Sequence, residues 1–265
     1  MKAFRSLVRR PAPQAAEPRE VILYRELGRY GQLGNQLWQI AATMGIAESR
    51  GADARFPPWD YRELFSVPAA FFSADLPENG IDAWSTAQHI PPSHRYFLQD
   101  VNLFSGIADR VRRYFEPSPA VMSDLATRFA EFIDIPDKTA IHVRRGDYFD
   151  HPDSLVVQGV DYYRAAIEML GDTNLVVFSD DMEWCREALG WAQPRLFMEG
   201  NPAYIDLFLM ARCDRHVIAN SSFSWWGAYL ANDPQAIFPE RWFGPALAHV
   251  DATLMFVPGW IGIDA

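Results

Sequence analysis

The chain has 265 residues, with 24 lysines and arginines against 34 aspartates and glutamates, and therefore a formal net charge of −10. This acidic balance argues against a nucleic-acid-binding protein and against a protein held on anionic membrane by overall positive charge. Hydrophobic residues make up 49% and charged residues 22%, which excludes disorder of the whole chain. A phosphate-bearing ligand would need a local basic site, because the overall field of the protein repels it.

Residues 1–20 are basic and then rich in Pro, Ala and Glu, with no apolar run long enough for a signal peptide or a membrane span. We expect a flexible N-terminal tail there and no integral membrane span in the chain. The expected location is cytoplasmic, with a weak basic contact of the tail to the inner membrane surface as the alternative.

The first half of the chain predicts a strand, a glycine-rich turn and a helix. The β-rich run at 21–24 predicts the strand, residues 28–36 the turn, and the apolar spacing of 37–50 the helix. Residues 56–92 are rich in Pro and aromatics and predict mostly irregular structure. Two further helices are predicted at 107–115 and 120–132.

The second half alternates strands with helices. Strands are predicted at 139–143, 174–178, 216–219 and 236–238, and helices at 161–170, 181–189, 203–213 and 224–230. Such alternation implies βαβ units and a parallel sheet covered on both faces. A boundary is expected within 132–138, where a proline and charges interrupt the pattern. The fold class is therefore α/β, in two halves at 21–135 and 136–265.

In open α/β sheets a ligand lies beyond the carboxyl ends of the strands, so the loops there are the first candidates. In the first such loop, Gly31 and Gly34 let the backbone approach a ligand, and Asn35 and Gln36 offer polar groups at a helix N-terminus. The loop is neither a dinucleotide fingerprint nor a Walker loop. The alternative is structural, with Gly34 making a turn and Asn35 capping the helix.

A second loop carries His142, Arg144, Arg145 and Asp147 directly after a predicted strand. Side chains alternate along a strand, so His142 and Arg144 are expected on one face and Arg145 on the other. An arginine fork can hold phosphate oxygens and neutralise a diphosphate leaving group without a metal. The structural alternative is an Arg145–Asp147 ion pair that holds the loop.

Two more polar loops follow later strands. Asp180 and Asp181 could accept from a ribose or a guanine edge, or bind a metal, or Asp181 could cap the next helix. Ser221 and Ser222 precede a helix whose free N–H groups form a ready anion site. Of the adjacent tryptophans at 225–226, at least one is expected in the core, because neighbouring helix residues face different ways. Four polar loops predict one site for a phosphorylated, nucleotide-bearing ligand.

Together these loops resemble the motifs of the α-1,2-fucosyltransferases, glycosyltransferase family 11. The matching segments, in family order, are residues 31–36 (G-x-L-G-N-Q), 142–148 (H-x-R-R-x-D), 178–181, 220–227 and a closing strand at 238–243. Trp38 stands where phenylalanine is usual, and residues 51–100 match no motif.

The resemblance implies a GT-B arrangement, in which two Rossmann-like domains face a cleft and the C-terminal one binds GDP-β-L-fucose. It implies inverting transfer to O2 of a galactoside, with no metal and no cofactor. The acceptor would be a galactose-terminated oligosaccharide or glycolipid. Two alternatives stay open: transfer of another GDP-6-deoxyhexose, and a non-catalytic nucleotide- or glycan-binding protein.

The resemblance also assigns residues. The implied donor site consists of Gly34, Asn35, His142, Arg144, Arg145, Asp180, Asp181, Asn220, Ser221, Ser222 and Phe223. Arg144 would hold the diphosphate, Asp180 the guanine or ribose, and Asn35 would reach the β-phosphate or sugar. Asp147 is the candidate general base and completes the catalytic set with Arg144 and Asn35. Other groups near that loop are Asp150, His151 and Asp153.

The acceptor side is less defined by sequence. Aromatic residues that could form a platform for a sugar, or equally the core, are Trp59, Tyr61, Trp84 and Tyr96.

Overall fold

A computed structural model describes residues 19–231 and 235–264. The expected flexible tail at 1–20 lies outside the described residues, apart from its last two positions. Within the described residues the chain forms two parallel sheets, one in each predicted half.

The N-terminal half is built around a short three-stranded parallel sheet with strand order β2-β1-β3. Its strands are β1 (Val21–Leu23), β2 (Asp53–Arg55) and β3 (Ile81–Asp82). Its helices are α1 (Leu33–Ser49), α2 (Ala83–Thr86), α3 (Ala108–Tyr114), α4 (Pro119–Arg128) and α5 (Ala130–Ile133). Short 3-10 turns occupy much of the rest, as the Pro- and aromatic-rich composition of 56–92 predicts.

Helix α1 begins four residues earlier than the predicted helix at 37–50. Gly34 and Asn35 therefore lie inside its first turn, and the N-cap is Gln32, whose side chain makes no capping bond. The interpretation of Asn35 as a cap is thus wrong. Nearly every side chain of α1 is buried, which is typical of a helix that is apolar all round and lies at the centre of a fold.

The C-terminal half is a six-stranded, all-parallel sheet with strand order β6-β5-β4-β7-β8-β9. Its strands are β4 (Lys138–Val143), β5 (Asn174–Ser179), β6 (Leu196–Met198), β7 (Arg215–Val217), β8 (Gln235–Pro239) and β9 (Ile261–Ile263). Its helices are α6 (Val160–Leu170), α7 (Met182–Leu189), α8 (Ala203–Met210) and α9 (Ser222–Tyr229). The four predicted strands are present, and the two edge strands β6 and β9 were not predicted.

The two halves share a core where α1 packs on α9. The Trp38 ring of α1 lies 4.2 Å from Trp225 and 5.5 Å from Trp226 of α9 between ring centroids. All three indoles are buried. Both tryptophans of α9 therefore serve the core, and this contact fixes the N-terminal half above the carboxyl ends of the C-terminal strands.

The strand order also sets the order of the loops. Adjacent strands of a sheet lie about 4.8 Å apart, so the loops after β6, β5, β4, β7 and β8 follow one another across the edge of the sheet. The groups these loops carry are consequently spread along a line that a long ligand can span.

Candidate functional site

A cavity of about 730 Å³ lies between the two halves at the carboxyl ends of the strands. This volume is typical of a small-molecule site. Predicted site residues that line it are Gly34, Asn35, His142, Arg144, Asp147, Asp180, Asn220, Ser221, Ser222 and Phe223. Arg145 and Asp181 do not line it. The four loops thus meet in one place, as predicted from the parallel sheet.

Two helix N-termini meet at the cavity. A Cβ added to Gly34 in the first turn of α1 would lie 2.6 Å from the backbone nitrogen of Phe223 and 2.7 Å from the carbonyl carbon of Ser222. Only glycine permits this approach of α1 to the first turn of α9. Each N-terminus carries free N–H groups and a partial positive charge, so the junction is suited to bind an anion.

Arg144 is held between two carboxylates. Its Nη2 lies 2.7 Å from Asp147 Oδ1, and its Nη1 lies 3.1 Å from Asp180 Oδ2. The predicted Arg145–Asp147 pair is wrong, because the 3-10 turn at Gly146–Asp150 places Asp147 beside Arg144 instead. Two carboxylates of the protein therefore hold the guanidinium at the end of the central strand β4.

Arg145 and Asp181 lie outside the cavity and connect the loops after β4 and β5. Arg145 Nε donates to Asp181 Oδ2 at 3.0 Å, and the guanidinium lies 4.2 Å from the Trp184 ring centroid. Asp181 is the N-cap of α7, where its Oδ1 accepts from the Trp184 backbone N–H. The capping interpretation of Asp181 is confirmed. His142 and Arg144 face the cavity and Arg145 faces away from it, as the strand alternation predicts.

His142 is buried beside Phe223, with ring centroids 5.5 Å apart. Burial, with a smaller contribution from the Arg144 charge, lowers the pKa of His142 to about 3. The imidazole is therefore neutral at physiological pH and brings no positive charge to the cavity. Its buried Nδ1 has no hydrogen-bond partner within the described residues.

Asp206 is a cavity residue that sequence reasoning missed. It is the one charged residue of the apolar helix α8, lines the cavity after β6, and accepts a hydrogen bond from Asn201 Nδ2 at 3.0 Å. Burial raises the pKa of Asp206 to about 7. A lone carboxylate in an otherwise apolar helix is a signal that could have found it, because charged side chains are seldom even partly buried without a role.

One wall of the cavity, here called the aromatic wall, consists of the rings of His94, Phe97 and Phe243 together with the aliphatic side chain of Leu155. The His94 ring lies 5.5 Å from Phe97 and 5.2 Å from Phe243 between centroids, and Leu155 pairs with Phe243 in an isolated bridge. All four residues line the cavity. The wall joins the two halves and follows β8, at the opposite end from Asp206.

Of the aromatic residues predicted as an acceptor platform, only Tyr61 lines this cavity. Trp59 is buried and donates to Gln36 Oε1 at 2.8 Å. Trp84 and Tyr96 pack on each other, with centroids 5.3 Å apart. These three side chains serve packing, which is the alternative that the sequence left open.

Two further observations concern the ranges 19–231 and 235–264. No cluster of three or more His, Cys, Asp or Glu side chains in them could hold a metal ion. None of their helices is both long enough and apolar enough to cross a membrane.

Comparisons with known proteins concern the family and the fold of the chain. The sequence model of Glycosyl transferase family 11 matches residues 73–264. An alpha-1,2-colitosyltransferase from Escherichia coli is 35% identical over 57% of this chain and 53% of its own length. The chain thus spans about half the length of that relative. Galactoside alpha-(1,2)-fucosyltransferase 2 from Sus scrofa is 27% identical over 89% of this chain and 78% of its own length.

Among solved structures, the fucosyltransferase NodZ from Bradyrhizobium superposes with a TM-score of 0.52 at 13% sequence identity. The superposition covers 82% of this chain and 94% of NodZ. At this identity the likeness concerns the fold alone, which is the two-domain GT-B architecture with a cleft between the halves.

Proposed function

The chain belongs to glycosyltransferase family 11, and from that membership and the geometry of the cavity we propose that it transfers L-fucose from GDP-β-L-fucose to O2 of a galactoside. The proposed transfer inverts the anomeric configuration and uses no metal. The observation that carries the proposal is the meeting of Arg144 with the N-termini of α1 and α9 in one cavity. That junction provides positive charge where a diphosphate leaving group would need it.

The position of the guanine is inferred from which carboxylate oxygens in the cavity have no hydrogen-bond donor. Both oxygens of Asp180 are occupied, because Oδ1 accepts from the Arg145 backbone N–H at 3.0 Å and Oδ2 contacts Arg144. Asp206 has an oxygen to spare, and a carboxylate matches the N1–H and N2–H donors of guanine. We therefore assign guanine to the β6 end of the sheet and give Asp180 the task of fixing Arg144.

The order of the strands also suggests where the sugar of the donor and the acceptor lie. With guanine after β6 and the diphosphate between Arg144 and α9, the fucosyl group points toward the loop after β8. The aromatic wall lies there, and aromatic rings pack well on the C–H faces of a pyranose. We place the galactoside on this wall.

An inverting transfer is one displacement, in which the acceptor hydroxyl attacks from the side opposite to the departing GDP. Its oxocarbenium-like transition state makes stabilisation of the departing charge the main demand, and Arg144 with the two helix N-termini meets it. Asp147 touches Arg144 at 2.7 Å and so lies on the leaving-group side. We assign Asp147 to holding Arg144 rather than to taking the proton of the acceptor hydroxyl. As the bond from the anomeric carbon to GDP breaks and the new glycosidic bond forms, that proton is released to water.

The test is GDP release from GDP-fucose with a panel of galactosides, with and without EDTA. We expect release that depends on the galactoside, with a rate changed less than about twofold by EDTA, since arginine and helix termini replace the metal charge. Absence of turnover on every acceptor together with absence of GDP binding would refute the proposal.

A second donor has a specific observation in its favour. The relative with 35% identity is named an alpha-1,2-colitosyltransferase, whereas the named fucosyltransferase is 27% identical. Colitose is L-fucose without its 3-hydroxyl. A site that hydrogen-bonds this hydroxyl rejects a donor that lacks it, so direct competition between GDP-fucose and GDP-colitose decides between the two. GDP binding without turnover of either donor would instead favour a non-catalytic binding protein.

A further inference from the structure

The side-chain amides of Gln99 and Asn35 are hydrogen bonded to each other at the edge of the cavity. Gln99 Nε2 donates to Asn35 Oδ1 at 2.9 Å, and both residues line the cavity. Asn35 lies in the first turn of α1, whereas Gln99 follows the 3-10 turn at Arg95–Phe97. Gln99 lies in the part of the sequence that matched no motif, so nothing in the sequence assigned it a role.

This bond decides which end of the Asn35 amide is free. Oδ1 is occupied by Gln99, whereas Nδ2 has no hydrogen-bond acceptor among the described residues. Nδ2 lies against Gly31, where a Cβ would overlap it, and Gly31 has a positive φ of 74° that favours glycine. The amide is thus fixed through its oxygen, and its Nδ2 amino group is left to donate to a ligand.

The free donor belongs to the same cavity as the anion site. Asn35 lines this cavity together with Arg144 and with Ser222 and Phe223 at the N-terminus of α9. An N–H group there would bind a phosphate oxygen, and a carbonyl oxygen there would repel it. The two ends of an amide have nearly the same shape, so shape alone does not select the orientation that binds an anion.

We propose that Gln99 is a positioning residue that holds the Asn35 amide with Nδ2 directed at the diphosphate of the donor. The inference rests on the proposed use of a GDP-sugar. If Gln99 served only packing, its hydrogen bond to Asn35 would hold the segment around Gln99 against α1. It would then not matter whether Gln99 or Asn35 donates the hydrogen.

The polarity of the bond can be reversed with little change of shape. In Gln99→Glu a carboxylate can only accept, so Asn35 must turn Nδ2 toward it and present Oδ1 to the phosphate. Gln99→Met removes the bond without reversing it. Asn35→Asp reaches the same reversal from the other side, because Gln99 still donates to one oxygen and the second oxygen faces the phosphate.

The experiment measures the Kd of GDP by calorimetry for the full chain and its variants, with the Tm of each as a folding control. We expect Gln99→Met and Asn35→Ala to weaken binding about tenfold, and Gln99→Glu and Asn35→Asp about 100-fold, since a hydrogen bond to a charged group is replaced by a repulsion. In an Asn35→Ala background, Gln99→Glu should add less than about threefold, because the group through which it acts is gone.

Each other outcome has a distinct meaning. If the wild-type chain does not bind GDP, the proposed function fails. If it binds GDP and Gln99→Glu is no worse than Gln99→Met, the bond only packs the fold and the inference is overturned. A full effect of Gln99→Glu in the Asn35→Ala background would overturn it too, since the added charge would then act without Asn35. If Gln99→Glu does not fold, Asn35→Asp compared with Asn35→Ala decides.

Discussion

The two halves of the molecule contribute to the cavity in different ways. The C-terminal half presents the ends of five neighbouring parallel strands, and each of these is followed by cavity residues. The N-terminal half has three short strands and many 3-10 turns, and it contributes the N-terminus of α1 with segments near His94 and Gln99. The C-terminal half places its charged side chains one after another along the ends of its strands, and the N-terminal half forms the opposite side of the cavity.

This difference predicts which changes abolish function and which only adjust it. Groups of the C-terminal half that face the leaving group should have the largest effects, because they stabilise charge that develops in the transition state. Changes at the α1–α9 contact should disturb both halves together. Changes at Asp206, after β6, should affect binding of the donor only, and changes at the aromatic wall, after β8, should affect binding of the acceptor only.

The largest effect is expected for Arg144→Ala. Removal of one preorganised charged donor costs about 100- to 1,000-fold in turnover, and it leaves Asp147 and Asp180 unpaired beside the phosphates. Arg144→Lys keeps the charge but loses the planar fork, so an intermediate loss is expected. Initial rates of GDP release, with the Tm as a control, measure this. Near-normal turnover of Arg144→Ala would contradict the diphosphate role.

The contact between the halves is tested by two glycines of the same helix. Gly34→Ala forces α1 away from the α9 backbone, and we expect about a 100-fold loss of GDP affinity because the anion site opens. Gly45→Ala is more crowded, with the added Cβ 2.0 Å from the Leu103 carbonyl oxygen and 2.6 Å from Phe104 Cα, and should cost about 1–3 kcal/mol of stability or more, as overpacking does. Its GDP affinity should be unchanged. Equal losses of affinity in both variants would show that the junction has no special part.

A smaller effect is expected for Asp206→Asn at the guanine end. Loss of the charged acceptor should weaken the binding of GDP about 10- to 30-fold. The binding of inosine diphosphate, which lacks the 2-amino group, should be weakened less. Because the pKa of Asp206 is raised to about 7, GDP affinity of the wild type should rise between pH 6 and 8. That rise should be smaller in Asp206→Asn, which retains only the contribution from titration of the terminal phosphate of GDP. Calorimetry at both pH values measures it, and identical pH profiles would exclude Asp206 from the guanine site.

The same ionisation predicts an opposite effect on stability. A carboxyl whose pKa is raised by folding stabilises the folded state when protonated, and this contribution is lost as pH rises through about 7. The Tm of Asp206→Asn should therefore exceed that of the wild type at pH 8 and approach it at pH 5. Residues of a binding site often lower stability in this way.

The smallest effect is expected at the acceptor end. Phe243→Ala removes a ring from the aromatic wall and should raise the KM for the galactoside about tenfold, with GDP affinity unchanged. Trp191→Ala is a matched control, since Trp191 is 40% exposed and does not line the cavity. A change in GDP affinity without a change in the acceptor KM would place Phe243 on the donor instead.

The sequence predicts the C-terminal half well, because each of its βαβ units is a local pattern. The strands β4, β5 and β8 contain short apolar runs, and β7 leads into the apolar pair Ile218 and Ala219, so each could be recognised locally. The edge strands β6 and β9 are three residues each and pair on one side only, so they carry little pattern. In the N-terminal half, α1 begins early because its contact with α9, rather than a cap, fixes its start.

For the site, the sequence could predict which side chains face the cavity, but not which side chains form ion pairs and hydrogen bonds with each other. The sequence places His142 and Arg144 correctly toward the cavity. The partner of Asp147 depends on a 3-10 turn, which rotates its carboxylate from Arg145 to Arg144. Gln99 could not be found by pattern, since its role depends on contact with a residue 64 positions away.

The central claim is that a GDP-sugar lies along the ends of the strands, with its diphosphate between Arg144 and the two helix N-termini. A crystal structure of the chain with GDP tests this most directly. We expect the phosphates within hydrogen-bond distance of Arg144 and of the first-turn N–H groups of α1 and α9, and guanine against Asp206. Phosphates that contact neither Arg144 nor α9, or guanine at the aromatic wall, would contradict the account.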